Sequence, residues 1–157
     1  MTGQAWHVRS WNDLPGPAGT GICPHMARQC YGAVLRAASR KVTAQYDAAL
    51  APSGIHLAQY SLLRTIERNA PLSLTRLGQL AELDRSTIGR NVRLLQRIDL
   101  VNLGAGTDQR EAMVTLTQAG ADVLQQAAPR WDEAQRAIER TLGTATAEQL
   151  RSLLQTL

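Results

Sequence analysis

Phenylalanine is absent from this 157-residue sequence, and aromatic residues make up only 4% of it. The core must therefore be aliphatic, built from Leu, Ala, Val and Ile. Lysine is almost missing as well: Lys41 stands against 16 arginines. Arginine meets phosphates and guanine edges with a planar fork, whereas lysine acts as a point charge. Two cysteines are too few for a disulfide framework. No apolar run approaches the roughly 20 residues that span a bilayer, and the N-terminus lacks the apolar stretch of a secretory signal. Paired carboxylates, a Ser/His/Asp set and a phosphate loop are not visible, and His7, His25 and His56 are scattered. Cys23, His25 and Cys30 offer too few ligands at too irregular a spacing for a metal site. These absences exclude a membrane span, a secreted cystine-rich fold and a large enzyme. The expectation is a small cytoplasmic protein with no cofactor, no metal, no membrane partner and no catalytic activity.

What is present reads as mainly helical. With 44% apolar and 19% charged residues the chain is globular, and its length suits one domain plus an arm. Residues 1–22 have no periodicity; they hold Pro15, Gly16 and Pro17 together with Trp6 and Trp11 and read as a flexible arm. The alternative is an arm that docks on a partner subunit. Pro24 suits the start of a long helix. On it Tyr31, Leu35, Ala38, Val42, Tyr46 and Leu50 line one face. Ala51-Pro52-Ser53-Gly54 stops it, and a second helix is expected over Leu57–Asn69. Ser73 caps a short helix reaching Leu83, with Leu74, Leu77, Leu80 and Ala81 inward. Asp84 caps the next, Arg85–Ile98, with Ile88, Val92, Leu95 and Ile98 inward. Two short helices so joined form a helix-turn-helix. Leu100–Leu103 and Ala112–Leu116 read as the strands of a hairpin around Gly104–Arg110. Thr117 caps a helix over Gln118–Leu142 that contains Pro129, Gly143 ends it, and Thr146 with Gln149 has capping-box spacing for a final helix.

The net charge of +4 is concentrated. Between Asp84 and Asp99 stand Arg85, Arg90, Arg93 and Arg97 and no acid, while the rest of the chain holds 13 basic and 13 acidic residues. The whole excess lies on the second helix of the helix-turn-helix, the element that enters the major groove in such motifs. Arg85, Ser86, Thr87, Gly89, Arg90 and Arg93 lie away from the apolar stripe, where arginine and hydroxyl side chains can meet phosphates and base edges. The plainer alternative is a solvated charged face. Gly89 costs about 1 kcal/mol relative to Ala inside a helix; close approach to a partner or simple tolerance would each account for it. At the hairpin tip Arg110 suits a narrow minor groove, and Asp108 either orients it or forms an ordinary surface pair with it.

The order helix, helix, helix-turn-helix, hairpin, long helix resembles the MarR family of winged-helix regulators over about residues 28–157. The motifs that carry the resemblance are Leu77-Gly78-Gln79-Leu80-Ala81-Glu82-Leu83-Asp84-Arg85-Ser86-Thr87-Ile88 and Asp108-Gln109-Arg110 followed by Val114-Thr115-Leu116-Thr117-Gln118-Ala119-Gly120. Ala38–Thr43 and Gln59-Tyr60 also look like the family's first two helices. The fold class is then mainly α with a small β-hairpin wing, a winged helix-turn-helix with a helical dimerisation region. Beyond the arm at 1–22, the resemblance implies a dimerisation helix within 23–56, a winged helix-turn-helix at 57–117 and dimerisation helices at 118–157. It implies a homodimer that binds a pseudo-palindromic operator in double-stranded DNA, acts as a repressor and is released by a small molecule or an oxidant. Asp99 stands where the family commonly has Gly, and Gly89 where it commonly has a hydroxyl.

The trigger is less legible. Family members that sense organic hydroperoxides carry a cysteine in the first helix. That position falls on Gly32 here, two residues after Cys30, about 200° around the helix. Redox sensing through Cys23 or Cys30 is therefore an alternative to the family's ligand cleft. Arg36, Arg40, His56 and Tyr60 lie where they can line such a cleft, and arginine suits an aromatic acid as effector. His56 also reads as an ordinary helix-start residue. A helical interaction module that no longer binds DNA is the remaining class.

Overall fold

The computed structural model describes residues 30–105 and 112–157. The chain divides into two units after Ser39. Helix α1 covers Tyr31–Leu50 and α2 covers Leu57–Asn69. Then come strand β1 (Leu72–Ser73), α3 (Leu74–Ala81) and α4 (Arg85–Arg97). The hairpin strands are β2 (Val101–Ala105) and β3 (Ala112–Leu116), followed by α5 (Gln118–Leu142) and α6 (Thr144–Leu154). Among the described residues, no helix is long and apolar enough to cross a membrane.

Local chemistry sets most boundaries. After α1 a 3-10 turn over Ala51–Ser53 ends at Gly54, whose φ of 73° suits glycine. Asp47 reaches forward from α1 to accept from the Leu57 N–H at 2.7 Å, fixing the start of α2. Ser73 accepts from the Arg76 N–H at 3.2 Å, and Thr117 from the Gly120 N–H at 2.9 Å, so α3 and α5 are both capped as expected. The last helix departs from expectation. It begins at Thr144, directly after Gly143, so Thr146 lies inside its first turn and does not cap it.

The sheet has order β1-β3-β2 and is antiparallel throughout. Leu72 and Leu103 both face Val114 in register, and Val101 pairs with Leu116. The expected hairpin is present, with β2 one residue later than Leu100–Leu103 at its start and two at its end. Strand β1 was not expected. The core is aliphatic: Leu50, Leu63, Ile66, Leu77, Ile88, Val92, Leu95, Val101, Val114 and Leu124 are fully buried. Each such side chain contributes about 1.5–3 kcal/mol relative to an exposed one.

Six expected core positions differ. Leu80 is 39% exposed because it stands on the rim of a groove between α2 and α5. Ile98 is 45% exposed because α4 ends at Arg97 and the chain then turns through Asp99 at φ 59°. On α1 only Tyr46 and Leu50 of the expected face are buried; Tyr31, Leu35, Ala38 and Val42 are exposed.

Candidate nucleic-acid interface

Helix α4 is held at both ends. At its start the Asp84 carboxylate accepts from the Ser86 and Thr87 N–H groups at 2.9 and 3.0 Å. It also accepts from their hydroxyls at 2.5 and 2.7 Å. Four hydrogen bonds to the ionised form, led by the Ser86 and Thr87 hydroxyls, hold this carboxyl well below its ordinary value. The α3–α4 turn is tight. Glu82 adopts a left-handed φ of 53°, the Leu83 N–H bonds to the Gly78 carbonyl at 2.9 Å, and a Cβ on Gly78 would stand 3.0 Å from the Leu83 carbonyl oxygen.

At the other end, left-handed Asp99 carries the chain into the hairpin. The Leu100 N–H bonds back to the Leu95 carbonyl at 2.9 Å, and the Thr117 N–H reaches the Leu100 carbonyl at 3.2 Å. The Thr117 hydroxyl donates to the Asp99 carbonyl at 2.5 Å. One residue thus caps α5 and ties it to the end of α4. Gly120 completes this junction, since a Cβ there would collide with the Leu100 carbonyl.

Between these anchors Ile88, Val92 and Leu95 are buried and fix the rotation of α4. Arg85, Ser86, Arg90, Arg93 and Arg97 are exposed, and Thr87 and Gly89 are partly exposed. The helix therefore presents the expected arginine face, free of acids along its length. The Ser86 and Thr87 hydroxyls take part in the cap. Both point their protons at Asp84, so they present lone pairs outward. A Cβ on Gly89 would meet nothing within 4 Å, so no packing among the described residues requires a glycine there. Asp108 and Arg110, expected at the hairpin tip, lie outside the described residues, as do residues 1–29 with Trp6, Trp11 and Cys23.

The residues expected at an effector cleft are not all brought together. Tyr60 is only 5% exposed, whereas Arg36, Arg40 and His56 are exposed. His56 precedes α2, where its N–H donates to Gln59 Oε1 at 3.0 Å, the helix-start role. Tyr60 instead lines the groove of about 470 Å3 that also contains Arg64, Arg68, Leu80 and Trp131. Trp131 was missed in the sequence. Its ring stacks on Tyr46 at 5.9 Å and on Tyr60 at 5.8 Å, joining α1, α2 and α5. Burial raises the pKa of both phenols. The Tyr46 hydroxyl donates to Gln135, which donates to Glu139 at 2.9 Å; Arg151 of α6 donates to the same carboxylate at 3.0 Å. Cys30 is exposed just before α1. Among the described residues no group of three metal-ligating side chains exists.

No family model matches the chain, and no curated protein does. Solved structures do. The M. tuberculosis transcriptional regulator MosR, in complex with DNA, is 30% identical over 82% of this chain and 96% of its own, with a TM-score of 0.72. This chain belongs to the MarR family of transcriptional regulators. The repressor CouR, bound to a 23-mer DNA duplex, superposes with a TM-score of 0.78 at 20% identity, covering 86% of this chain and 96% of that one. A mutant of E. coli MarR complexed with operator DNA gives 0.78 at 20% identity, covering 86% and 98%. These two establish the fold: helices α3 and α4 with the β2–β3 hairpin are the winged helix-turn-helix of the MarR family. The MarR-family relatives are transcriptional regulators, not enzymes.

Proposed function

We propose that the protein regulates transcription by binding a pseudo-palindromic operator in double-stranded DNA as a homodimer. The observation that carries this reading is the acid-free arginine face of α4, set in the groove-entering position of a helix-turn-helix and anchored at both ends. Arg85, Arg90 and Arg93 read base edges and phosphates, and Ser86, Thr87 and Gly89 complete the face. Arg110, oriented by Asp108, reaches a flanking minor groove. MosR, CouR and MarR have each been crystallised with DNA, which supports the same partner here.

The homodimer is supported by apolar surface that one chain leaves uncovered. On α6, Leu150, Leu153 and Leu154 are exposed, Leu153 by 58%. A groove of about 680 Å3 between α1 and α5, lined by Ala48, Ala49, Ala134 and Ala137, is open to a second helix. In this reading residues 23–56 and 118–157 make the dimer, and 57–117 is the DNA-binding region.

Occupancy of the operator represses transcription, and a small aromatic acid releases it. The Tyr60/Trp131 groove with Arg64 and Arg68 supports such an effector, which must prefer a dimer whose two α4 helices are wrongly spaced for DNA. Selection of bound genomic fragments tests the reading. It predicts a site with half-sites about 10 base pairs apart, bound by a particle with the mass of two chains and lost steeply as salt rises. Aromatic acids added to the selection test the groove, and peroxide tests the redox alternative through Cys30 and Cys23. No fragment retained at about 50 mM salt leaves the helical interaction module instead.

A further inference from the structure

Gly89 sits at the middle of α4, four residues after Arg85 and four before Arg93. The three Cα atoms form one stripe, with an arginine about one turn to either side of the glycine. Glycine is among the least favourable residues for a helix interior, and the usual structural reasons for one are missing. It does not take a left-handed φ, it lies eight residues before the helix end, and a Cβ added to it would meet nothing within 4 Å. Among the described residues nothing obstructs an alanine there, and alanine favours the helix. The gap that Gly89 leaves on the helix surface, about one turn from Arg85 and from Arg93, therefore has no occupant among the described residues.

We propose that this gap is a base-specific subsite that seats the C5-methyl group of a thymine. The inference rests on the reading of α4 as the groove-entering helix. Of the groups that bases present in the major groove, the thymine methyl is the apolar one. It needs an apolar surface and lacks any hydrogen-bonding requirement, and a bare helix backbone supplies that surface. Arg85 and Arg93 flank the slot and hold the neighbouring phosphates or guanines, which fixes the depth at which α4 lies. The Cβ of any other residue at position 89 would take the volume that the methyl occupies. Specificity here comes from an absent side chain, so adding one methyl to the protein and removing one from the DNA must compensate each other.

The test uses the full-length protein and an operator recovered by selection. Deoxyuridine, which lacks the methyl, replaces each thymine in turn, and Kd is measured for wild type and Gly89→Ala. The expected result is one thymine per half-site whose methyl is worth about tenfold to wild type. Gly89→Ala binds the thymine operator about tenfold more weakly than wild type, yet binds the matching deoxyuridine operator at least as well as the thymine one. Its melting temperature rises, which separates the binding loss from misfolding. Additive effects of the two changes, or a wild type indifferent to every thymine methyl, overturn the subsite while leaving DNA binding intact. A wild type that retains no fragment overturns the reading of α4 itself and this inference with it.

Discussion

The carbonyl of Leu100 fills the space in which a Cβ on Gly120 would stand. That contact sets the end of α4 directly on the first turn of α5, with Thr117 bonding to both sides of the joint. The orientation of the arginine face thus depends on a residue that carries no charge and lies outside that face.

Gly120→Ala is expected to destabilise the protein by about 2 kcal/mol, as overpacking against backbone does. Urea unfolding checks this. An unchanged midpoint would mean that the joint gives way freely and does not set the helix.

Trp131→Leu keeps apolar bulk between α1, α2 and α5 but removes both ring stacks. At about 0.5–1.5 kcal/mol per stack, a loss of about 1–3 kcal/mol is expected in the same measurement. A loss well below that range would show that the indole only fills volume.

Asp84 should link stability to pH. Its pKa is depressed in the folded chain from an ordinary 3.8 by the hydroxyl and N–H donors of Ser86 and Thr87. Between the depressed value and the ordinary one, the unfolded chain binds more protons than the folded chain. The contribution of this carboxylate is therefore complete above about pH 4 and is lost as pH falls toward the folded value. Glu133, held low by bonds from Arg140 and Arg136, and Glu139, held low first by Gln135, act in the same direction. Thermal melts from pH 6 to 2 are expected to fall more gently in Asp84→Asn than in wild type. Parallel curves would contradict the assignment.

Local features were legible in the sequence, and distant ones were not. Ser73, Asp84 and Thr117 announced their helices because a cap bonds only two or three residues onward. Ile88, Val92 and Leu95 could be placed inward by period alone, and the arginine face followed as its complement. Strand β1 has two residues, too few for a pattern, and exists because Val114 and Met113 pair with it. The Tyr46–Trp131–Tyr60 stack joins three helices that are remote in sequence, so no spacing announces it. Leu80 and Ile98 fit an inward period but lie on a groove rim and beyond a helix end. Of the effector set, only Tyr60 lines the groove.

The central claim is that the arginine face of α4 reads DNA. Arg93 is exposed one turn beyond Gly89 and lies four residues before the end of the helix, so its replacement leaves the core untouched. The direct measurement is operator affinity of wild type and Arg93→Ala as a function of salt. A base-reading arginine predicts a loss of about 1–3 kcal/mol and relaxed preference at one base pair per half-site, and a phosphate contact predicts a shallower salt slope. Equal affinity, equal sequence preference and an equal salt slope in the two proteins would contradict the account.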